Sequence, residues 1–395
     1  MSKIKVNSLE GVGASTPAIS IDNTSGTCTA NITNNLSNKN LVVNGACLIA
    51  QRGTSNTAGG AGYFTVDRFY YYNQGIDNDV TKAQADVASG TTPYSLGFRK
   101  SFKLTNGDQS GGVGSNDMIV FDYKLEAQDL ANSGWNYTSS SSFITLSFWV
   151  KSSVPQNFYV RLKTSDGTAQ NYTFETGSLT TDTWTKITKT ISGNSNLQFD
   201  NNNGEGLEIE WSLFRGTDST GSMSLNTWAA DNTSIRTPDQ TSTWYTTNNA
   251  TFEITGVQFE VGSVATDFEH RSFGQELALC QRYFYMHTDG SIDGASNTTS
   301  VSDNMTVHSS TLAFGTITPP VTMRSKPSLY SVQTSGYFKY YNPNGNQTNI
   351  SNLALDSVTT RTSIVFYIDG SFTAGQAILL RAFDANAKLG FNAEL

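Results

Sequence analysis

The chain has 395 residues, of which 37% are hydrophobic and 15% charged, and its formal net charge is −8. This length suffices for two or three domains that each bury a core. The negative charge provides no field that would attract nucleic acid or an anionic membrane surface. The charged fraction lies below the roughly 25% of typical globular proteins, and Ser, Thr, Asn and Gly fill the difference. Because these residues favour strands and turns, we expect an all-β protein.

The N-terminus and the cysteines narrow the class of protein further. Residues 1–8 lack the apolar stretch of a signal peptide, and no run of about 18 apolar residues occurs elsewhere. We therefore expect a soluble product that is made in a cytoplasm and does not insert into a membrane. Cys28, Cys47 and Cys280 have neither the paired spacing of a zinc site nor the density of a disulfide scaffold. Packing should therefore supply the stability, without a cofactor.

Residues 1–43 differ in composition from the rest of the chain. Ser, Thr, Asn and Gly dominate, and the apolar patches at Ile4, Val6, 18–21 and 41–43 are too short to fill a core. This pattern predicts an extended arm that anchors the protein to a partner and winds with sister chains. A disordered leader is the alternative, since chain termini are often unordered.

Residues 44–270 contain apolar runs separated by turn-forming clusters, a spacing that is typical of a β-sandwich. Apolar residues alternate with polar ones in 143–151, 158–163 and 207–214, which predicts half-buried antiparallel strands. Across Gly256 the alternation in 252–261 changes phase, and we expect a β-bulge there. The prediction for this region is one large jelly-roll sandwich.

The remaining residues predict a linker followed by a smaller domain. Ser272-Phe273-Gly274-Gln275 has the form of a capping box, and apolar residues follow at helical spacing, which predicts a short helix over 273–284. We interpret 271–304 as this helix and a linker. Strand patterns in 337–341, 364–368 and 377–383 predict a second, smaller β-sandwich over 305–395.

The sequence offers little support for an enzyme. His270, His287 and His308 have no nucleophile motif around them, and we expect a structural role for each. Glu208 and Glu210 lie two residues apart on one strand face, a spacing near that of glycosidase carboxylates. We favour the simpler interpretation that they are solvated charges at the edge of a sheet.

Two acidic clusters could supply oxygen ligands to a structural calcium ion. They are Asp77-Asn78-Asp79 and the segment 200–205, which contains Asp200 and Glu205. Neither matches a complete metal-binding loop, so we interpret both as turns and leave calcium as an open alternative.

Aromatic residues make up 11% of the chain, and several lie outside the alternating stretches. Ring faces stack on the C–H surface of sugars, while amide, carboxylate and guanidinium groups bind the hydroxyls. We assign Trp149 and Trp211 to the core. The candidates for carbohydrate binding are Trp135, Tyr137, Trp228, Trp244, Tyr245 and Arg236, accompanied by Asn136, Asn226 and Asp231.

Two stretches resemble bacteriophage structural proteins. Residues 40–55 (NLVVNGACLIAQRGTS) with 63–69 (YFTVDRF) are similar to the beginning of the large domain in phage tail-fibre-like proteins. Residues 254–263 (ITGVQFEVGS), 265–272 (ATDFEHRS) and 276–284 (ELALCQRYF) are similar to the end of a carbohydrate-binding-module-type jelly roll found in phage virion proteins. The terminal Ala393-Glu394-Leu395 fits the same group, so the resemblance covers about 40–395.

The resemblance implies a non-catalytic virion protein made in the host bacterial cytoplasm. It would be a homo-oligomer, in particular a homotrimer, that meets other virion proteins through the arm and attaches to host surface polysaccharide. Many weak contacts would then add through multivalency. The first alternative is a head-fibre or cement protein that decorates capsid or tail and has no ligand. The second is a polysaccharide-degrading enzyme, and the resemblance transfers no sugar-contacting residue to this chain.

Overall fold

The computed structural model describes residues 8–9, 19–21, 28–30, 39–290 and 299–395. Within these residues nearly all regular structure is β-strand, which confirms the all-β prediction. The first strands are β1 (Ser8–Leu9), β2 (Ile19–Ile21) and β3 (Cys28–Ala30), which form a small antiparallel sheet. The rest of the predicted arm up to residue 38 lies outside the described residues. Among the described residues, no helix has the length and apolar character needed to span a membrane.

The large domain consists of two antiparallel sheets. The six-stranded sheet has the order β13-β10-β16-β8-β7-β4, and the seven-stranded sheet has the order β15-β12-β11-β14-β9-β6-β5. Their strands are β4 (Ser55–Asn56), β5 (Gly62–Tyr63), β6 (Phe69–Gln74), β7 (Thr81–Asp86), β8 (Lys100–Thr105), β9 (Met118–Glu126), β10 (Phe143–Ser152), β11 (Asn157–Thr164), β12 (Gln170–Ser178), β13 (Thr185–Ser192), β14 (Glu205–Arg215), β15 (Trp228–Ala230) and β16 (Thr251–Val261). The connections contain α1 (Thr92–Ser95), α2 (Ala127–Ala131), α3 (Thr243–Thr246) and a 3₁₀ turn (Thr217–Ser219).

The apolar faces of these two sheets meet in one core, as the alternation predicts. Phe148 of β10 packs edge-on against Trp211 of β14, with ring centroids 5.6 Å apart. Trp211 in turn stacks on Phe121 of β9 at 5.1 Å. Burial of each such side chain contributes about 1.5–3 kcal/mol before entropy is counted. The fully buried partners along the same strands include Ile144, Leu146, Val150, Ile209 and Leu213.

The predicted β-bulge at Gly256 is present. Ser147 of β10 pairs with Gln258 of β16, whereas Trp149 pairs with Thr255, so one extra residue lies on β16 between the two pairs. Gly256 has a φ of 64°, in the left-handed region that favours glycine. The bulge brings Phe252 and Ile254 onto the same inward face as Val257 and Phe259, which the phase change in the sequence required.

The large sandwich begins earlier than the sequence boundary at residue 44. Val42 is fully buried in the core, and the Leu41 amide donates to the Phe259 carbonyl at 2.9 Å. The Asn40 side chain donates to the Val257 carbonyl at 3.1 Å and accepts from the Phe259 amide at 3.0 Å. Residues 40–43 therefore belong to the sandwich, because Asn40 pairs with main-chain groups of β16 more than 200 positions away.

A short helix, α4 (Phe273–Gln281), follows the large sandwich, and its predicted capping box is formed. The Gln275 amide donates to the Ser272 hydroxyl, and the Gln275 side chain accepts from the Ser272 amide at 3.2 Å. The helix ends three residues before the predicted position 284, because Phe284 already begins the next strand.

The second domain starts with this strand, within the segment that the sequence assigned to a linker. Its three-stranded sheet has the order β17-β26-β20, and its seven-stranded sheet has the order β22-β21-β25-β18-β19-β24-β23. The strands are β17 (Phe284–Asp289), β18 (Thr299–Val307), β19 (Leu312–Ile317), β20 (Ser328–Val332), β21 (Phe338–Tyr341), β22 (Gln347–Asn349), β23 (Asn352–Leu355), β24 (Ile364–Asp369), β25 (Ala377–Ala382) and β26 (Lys388–Asn392). A separate apolar cluster fills this smaller sandwich.

A buried junction connects the two domains. The Arg68 guanidinium donates to the Glu394 carboxylate and lies 3.5 Å from the ring centroid of Tyr283. Arg52 lies 3.4 Å from the same carboxylate and 3.5 Å from the ring centroid of Phe284. All three charged side chains are almost completely buried. Arg52, Arg68 and Phe284, which lie in the phage-like stretches, therefore contribute to the contact between the domains.

Candidate functional site

Four of the six predicted sugar-binding residues lie in the core of the large sandwich. Trp135, Trp228, Trp244 and Tyr245 are between 0% and 9% exposed, so neighbouring side chains cover their ring faces. The polar atoms of three of them form hydrogen bonds within the protein: Trp228 Nε1 donates to the Ser192 carbonyl at 2.8 Å, Trp244 Nε1 to the Thr251 carbonyl at 3.1 Å, and the Tyr245 hydroxyl to the Asp117 carboxylate at 2.7 Å. This corrects the interpretation of these four residues as sugar-stacking platforms. Their polar sequence surroundings reflect short helices, loops and an edge strand, in which burial does not follow alternation.

The other two candidates are partly exposed but lie apart from each other. Tyr137 packs edge-on against Phe199 at 4.9 Å, on the border of the core. Arg236 lies in a segment that covers part of the outer face of the seven-stranded sheet, where its carbonyl accepts from the Thr173 hydroxyl at 3.2 Å. Burial and the neighbouring Arg215 lower the pKa of Arg236. The structure therefore does not bring the six predicted residues together in one site.

The histidines make structural contacts. His270 Nε2 lies 2.9 Å from the Leu96 carbonyl oxygen, and His287 Nε2 lies 2.8 Å from the Val301 carbonyl oxygen. Burial lowers the pKa of His287. His308 packs edge-on against the ring of Phe314 at 5.8 Å. These contacts fit the structural roles expected from the sequence.

The two acidic clusters form turns. The Asp77 carboxylate accepts from the Gly111 amide at 2.7 Å, and the Asn202 side chain accepts from the Gly204 amide at 2.7 Å. Within the part of the chain that the structure describes, no group of three or more His, Cys, Asp or Glu side chains is arranged to hold a metal ion. The interpretation of both segments as turns therefore agrees with their hydrogen bonds.

Glu208 and Glu210 do not lie at a sheet edge, because β14 is between β11 and β9. Glu210 is 3% exposed and accepts from Arg215 Nη2 at 2.5 Å, with Arg161 3.7 Å away. Burial alone would raise the pKa of Glu210, but the two guanidinium groups outweigh it and lower that pKa. The expectation of solvated edge charges is therefore wrong for Glu210. A carboxylate held ionised in this way is also a poor proton donor for glycoside cleavage.

An open cavity lies on the outer face of the six-stranded sheet, and we call it the aromatic cleft. Its volume is about 250 Å³. Four rings line it, those of Phe98, Trp149, Phe268 and His270. The rest of the lining consists of Leu96, Gly256 and four polar residues, Ser147, Lys186, Thr266 and Asp267.

The rings of the aromatic cleft are fixed by contacts with one another and with the β-bulge. Phe98 packs edge-on against Phe268 at 4.9 Å and lies 5.1 Å from the His270 ring. A Cβ atom at Gly256 would come within 2.6 Å of Phe98 Cζ, so only glycine leaves room for this ring. The bulge therefore leaves room for Phe98 at the floor of the cleft and also determines which residues of β16 face the core.

The position of Trp149 in the sequence pattern already indicated an exposed aromatic surface. The prediction that Trp149 belongs to the core overlooked this. Trp149 shares the face of β10 that carries Thr145, Ser147 and Lys151, opposite to the buried apolar residues. It is half-buried and belongs to a small apolar cluster outside the main core, together with Trp184. A tryptophan on the polar face of an amphipathic strand indicates an exposed aromatic surface, which is a stronger feature than a polar neighbourhood alone.

Comparisons with known proteins establish no relative. The chain matches no protein-family model. It also matches no curated protein. Among solved structures, it is similar to the enzymatically active domain of tailspike protein 4 of bacteriophage CBA120, with 12% identity over 56% of this chain and 21% of that chain, and a TM-score of 0.30. It is also similar to the CBM22-1 xylan-binding domain of Paenibacillus barcinonensis Xyn10C, with 13% identity over 53% of this chain and 94% of that chain, and a TM-score of 0.24.

A third similar structure is the family 11 carbohydrate-binding module of Lic26A-Cel5E from Clostridium thermocellum, with 11% identity over 55% of this chain and 100% of that chain, and a TM-score of 0.23. Scores of this size carry no argument about function. The function of this chain must therefore be inferred from its own residues.

Proposed function

We propose that the protein binds a carbohydrate, without cleaving it, in the aromatic cleft of its large sandwich. The observation that supports this proposal is an open cavity in which the partly exposed rings of Trp149, Phe268 and His270 lie beside polar side chains, with the buried Phe98 as its floor. Aromatic faces cover the C–H surface of a sugar ring, and polar groups at the rim bind its hydroxyls. This combination recognises neutral sugars and needs no net charge on the protein.

The size of the cleft limits what it holds. Its volume of about 250 Å³ is smaller than the roughly 300–1,000 Å³ of sites for drug-sized ligands. We therefore expect it to hold one part of a longer glycan, such as a terminal or branching ring. Affinity per site would be low, and several copies of the site on one assembly would raise it through effective concentration.

The variant Trp149→Ala tests this proposal. Loss of ring stacking of about 1.5 kcal/mol should lower the affinity about tenfold, whereas Trp149→Phe should retain part of it. The assay is binding of the full chain to an array of bacterial surface glycans, followed by titration calorimetry with the best ligand. Tyr341→Ala, which removes a half-exposed ring of the smaller domain, is the matched control. Equal affinity of Trp149→Ala and the wild type would contradict the proposal.

We further propose that the protein is a phage virion component, most simply a homotrimeric tail-fibre or receptor-binding protein that attaches to host surface polysaccharide. The similarity of 40–55 and 254–284 to phage structural proteins supports this part. The N-terminal residues would hold other virion proteins. Mass spectrometry of purified particles and light scattering of the purified chain test it. Absence from the particles, or a stable monomer, would contradict it.

The two alternatives predict other outcomes. A capsid or tail decoration protein would appear on the particle by cryo-electron microscopy and bind no glycan on the array. A polysaccharide-degrading enzyme would release reducing ends from host polysaccharide, and Glu208→Gln or Glu210→Gln would abolish the release. Our proposal expects no reducing ends with the wild type.

A further inference from the structure

The outer face of the seven-stranded sheet carries a second group of polar side chains, on the opposite side of the sandwich from the aromatic cleft. In the strand register Asp122 of β9 lies opposite Tyr70 of β6 on one side and Glu210 of β14 on the other. Glu208 of β14 lies opposite Lys124 of β9. These positions alternate with core residues, so their side chains project outward. We call Tyr70, Asp122, Lys124 and Glu208 the carboxylate face.

Most of the cationic side chains around the carboxylate face form ion pairs with carboxylates other than Asp122 and Glu208. Lys124 Nζ forms an ion pair with Glu205 at 3.1 Å and lies 4.9 Å from the ring centroid of Tyr70. Arg161 and Arg215 pair with Glu210, and Arg161 also pairs with Asp231. Lys163, opposite Glu208 in the register, forms no ion pair within 4.0 Å among the described residues.

Asp122 is the unusual member of this group. It is 5% exposed, and its Oδ1 has no hydrogen-bond partner within the described parts of the chain. Burial and the nearby Glu208 raise its pKa well above the ordinary value. A buried polar atom without a hydrogen-bond partner costs about 1–3 kcal/mol. Glu208 is partly exposed and takes part in no ion pair within 4.0 Å among the described residues, so its carboxylate is available to a ligand beside Asp122.

We propose that the carboxylate face binds the protonated amino group of an amino sugar. An ammonium group provides three donors, enough for both Asp122 and Glu208. The adjacent ring of Tyr70, itself packed edge-on against Tyr63 at 5.1 Å, offers an apolar surface to the sugar. A metal ion fits less well, because the described residues provide no group of three metal-binding side chains here. The inference rests on the proposed function only in that the ligand is a carbohydrate.

Two oligosaccharides that differ only in the amino group test this inference. A short glucosamine oligomer carries free amines, and the N-acetylglucosamine oligomer of the same length has them acetylated. Titration calorimetry with the full chain, at a pH that keeps the amines protonated, should give at least tenfold tighter binding of the glucosamine oligomer. Added salt should weaken this binding, since the contact is between charges at a partly exposed site.

Glu208→Gln should lower the affinity for the glucosamine oligomer at least tenfold. Glu175→Gln, which neutralises an exposed carboxylate on β12 of the same sheet, should leave it unchanged. Asp122→Asn is the second variant, and its melting temperature should not fall, because it replaces the buried carboxyl group beside Glu208 with a neutral amide of the same shape. Trp149→Ala should leave the preference for free amines intact, because it alters only the other sheet.

Several results would overturn the inference. Equal binding of the two oligomers would do so, as would unchanged binding by Glu208→Gln. Equally tight binding of a lysine oligomer would show that the face recognises amines without a sugar. Failure of the proposed function gives a different result, in which Trp149→Ala binds every neutral glycan on the array as tightly as the wild type does.

Discussion

The substitution Gly256→Ala tests whether the β-bulge positions the floor of the aromatic cleft. The alanine must adopt a φ of 64°, a left-handed conformation that costs an L-residue about 1–2 kcal/mol. Its Cβ would lie 2.6 Å from Phe98 Cζ, whereas carbon atoms in contact are about 3.5–4.0 Å apart. The ring must therefore move by about 1 Å. Because Phe98 is buried and packed against Phe268, this overpacking adds about 1–3 kcal/mol.

Gly177→Ala provides the matched control for this prediction. Gly177 is also a strand residue with a positive φ, of 72°, but a Cβ there would meet nothing within 4 Å. It should therefore cost only the conformational part, about 1–2 kcal/mol, against about 2–5 kcal/mol for Gly256→Ala. The denaturant midpoint of the large sandwich measures both values, and glycan titration measures the cleft. Equal destabilisation by the two variants, with unchanged glycan affinity, would refute the role of Phe98.

Two further predictions concern the buried charges at the domain junction. Asp67 is buried at this junction, with its carboxylate 3.7 Å from Arg52. Burial raises the pKa of Asp67 from 3.8 to about 6, against the opposing effect of Arg52. The stability that Asp67 contributes is therefore complete below the unfolded pKa and is lost as the pH rises through about 6. The wild type should therefore lose about 3 kcal/mol relative to Asp67→Asn between pH ~4 and ~7, and a constant difference in their unfolding free energies over that range would contradict this. Glu394→Gln should cost about 3–5 kcal/mol, because Arg68 then stays buried without a countercharge. Calorimetry should give two separated unfolding transitions for Glu394→Gln. The control is Asp86→Asn at an exposed ion pair, which should cost about 1 kcal/mol or less and leave the unfolding profile of the wild type unchanged. Similar profiles for the two variants would contradict the proposed role of the junction.

Local features of the fold were predictable because they depend on neighbours in the sequence. Alternation identified the inward faces of β10, β11 and β14, the phase change identified the bulge, and the capping box identified the start of α4. The start of the sandwich was missed because Asn40 bonds to β16, and no local pattern records a contact over that distance.

The candidate sites were harder to predict because alternation shows which residues share a face but not what covers it. Trp244 has polar neighbours in the sequence and is nevertheless buried, whereas Trp149 lies in a regular strand and is partly exposed. Glu210 and Arg161 lie on a polar strand face, yet the segment around 231–240 covers them, as the ion pair of Arg161 with Asp231 shows. Exposure of these residues is decided by a loop that joins the sheet only in the folded chain.

The junction around Glu394 has a practical consequence for anyone who divides this protein into parts. By sheet topology there are two folding units, and a gene truncated after α4 would encode the large one almost completely. Such a fragment would keep Arg52 and Arg68 but lose the carboxylate and the Phe284 ring that they contact. In the fragment, the two guanidinium groups and the apolar surface around them would be exposed to solvent, whereas the second domain covers them in the intact chain. The separate sandwich should aggregate more readily than the intact chain, so binding studies are better done on the complete polypeptide.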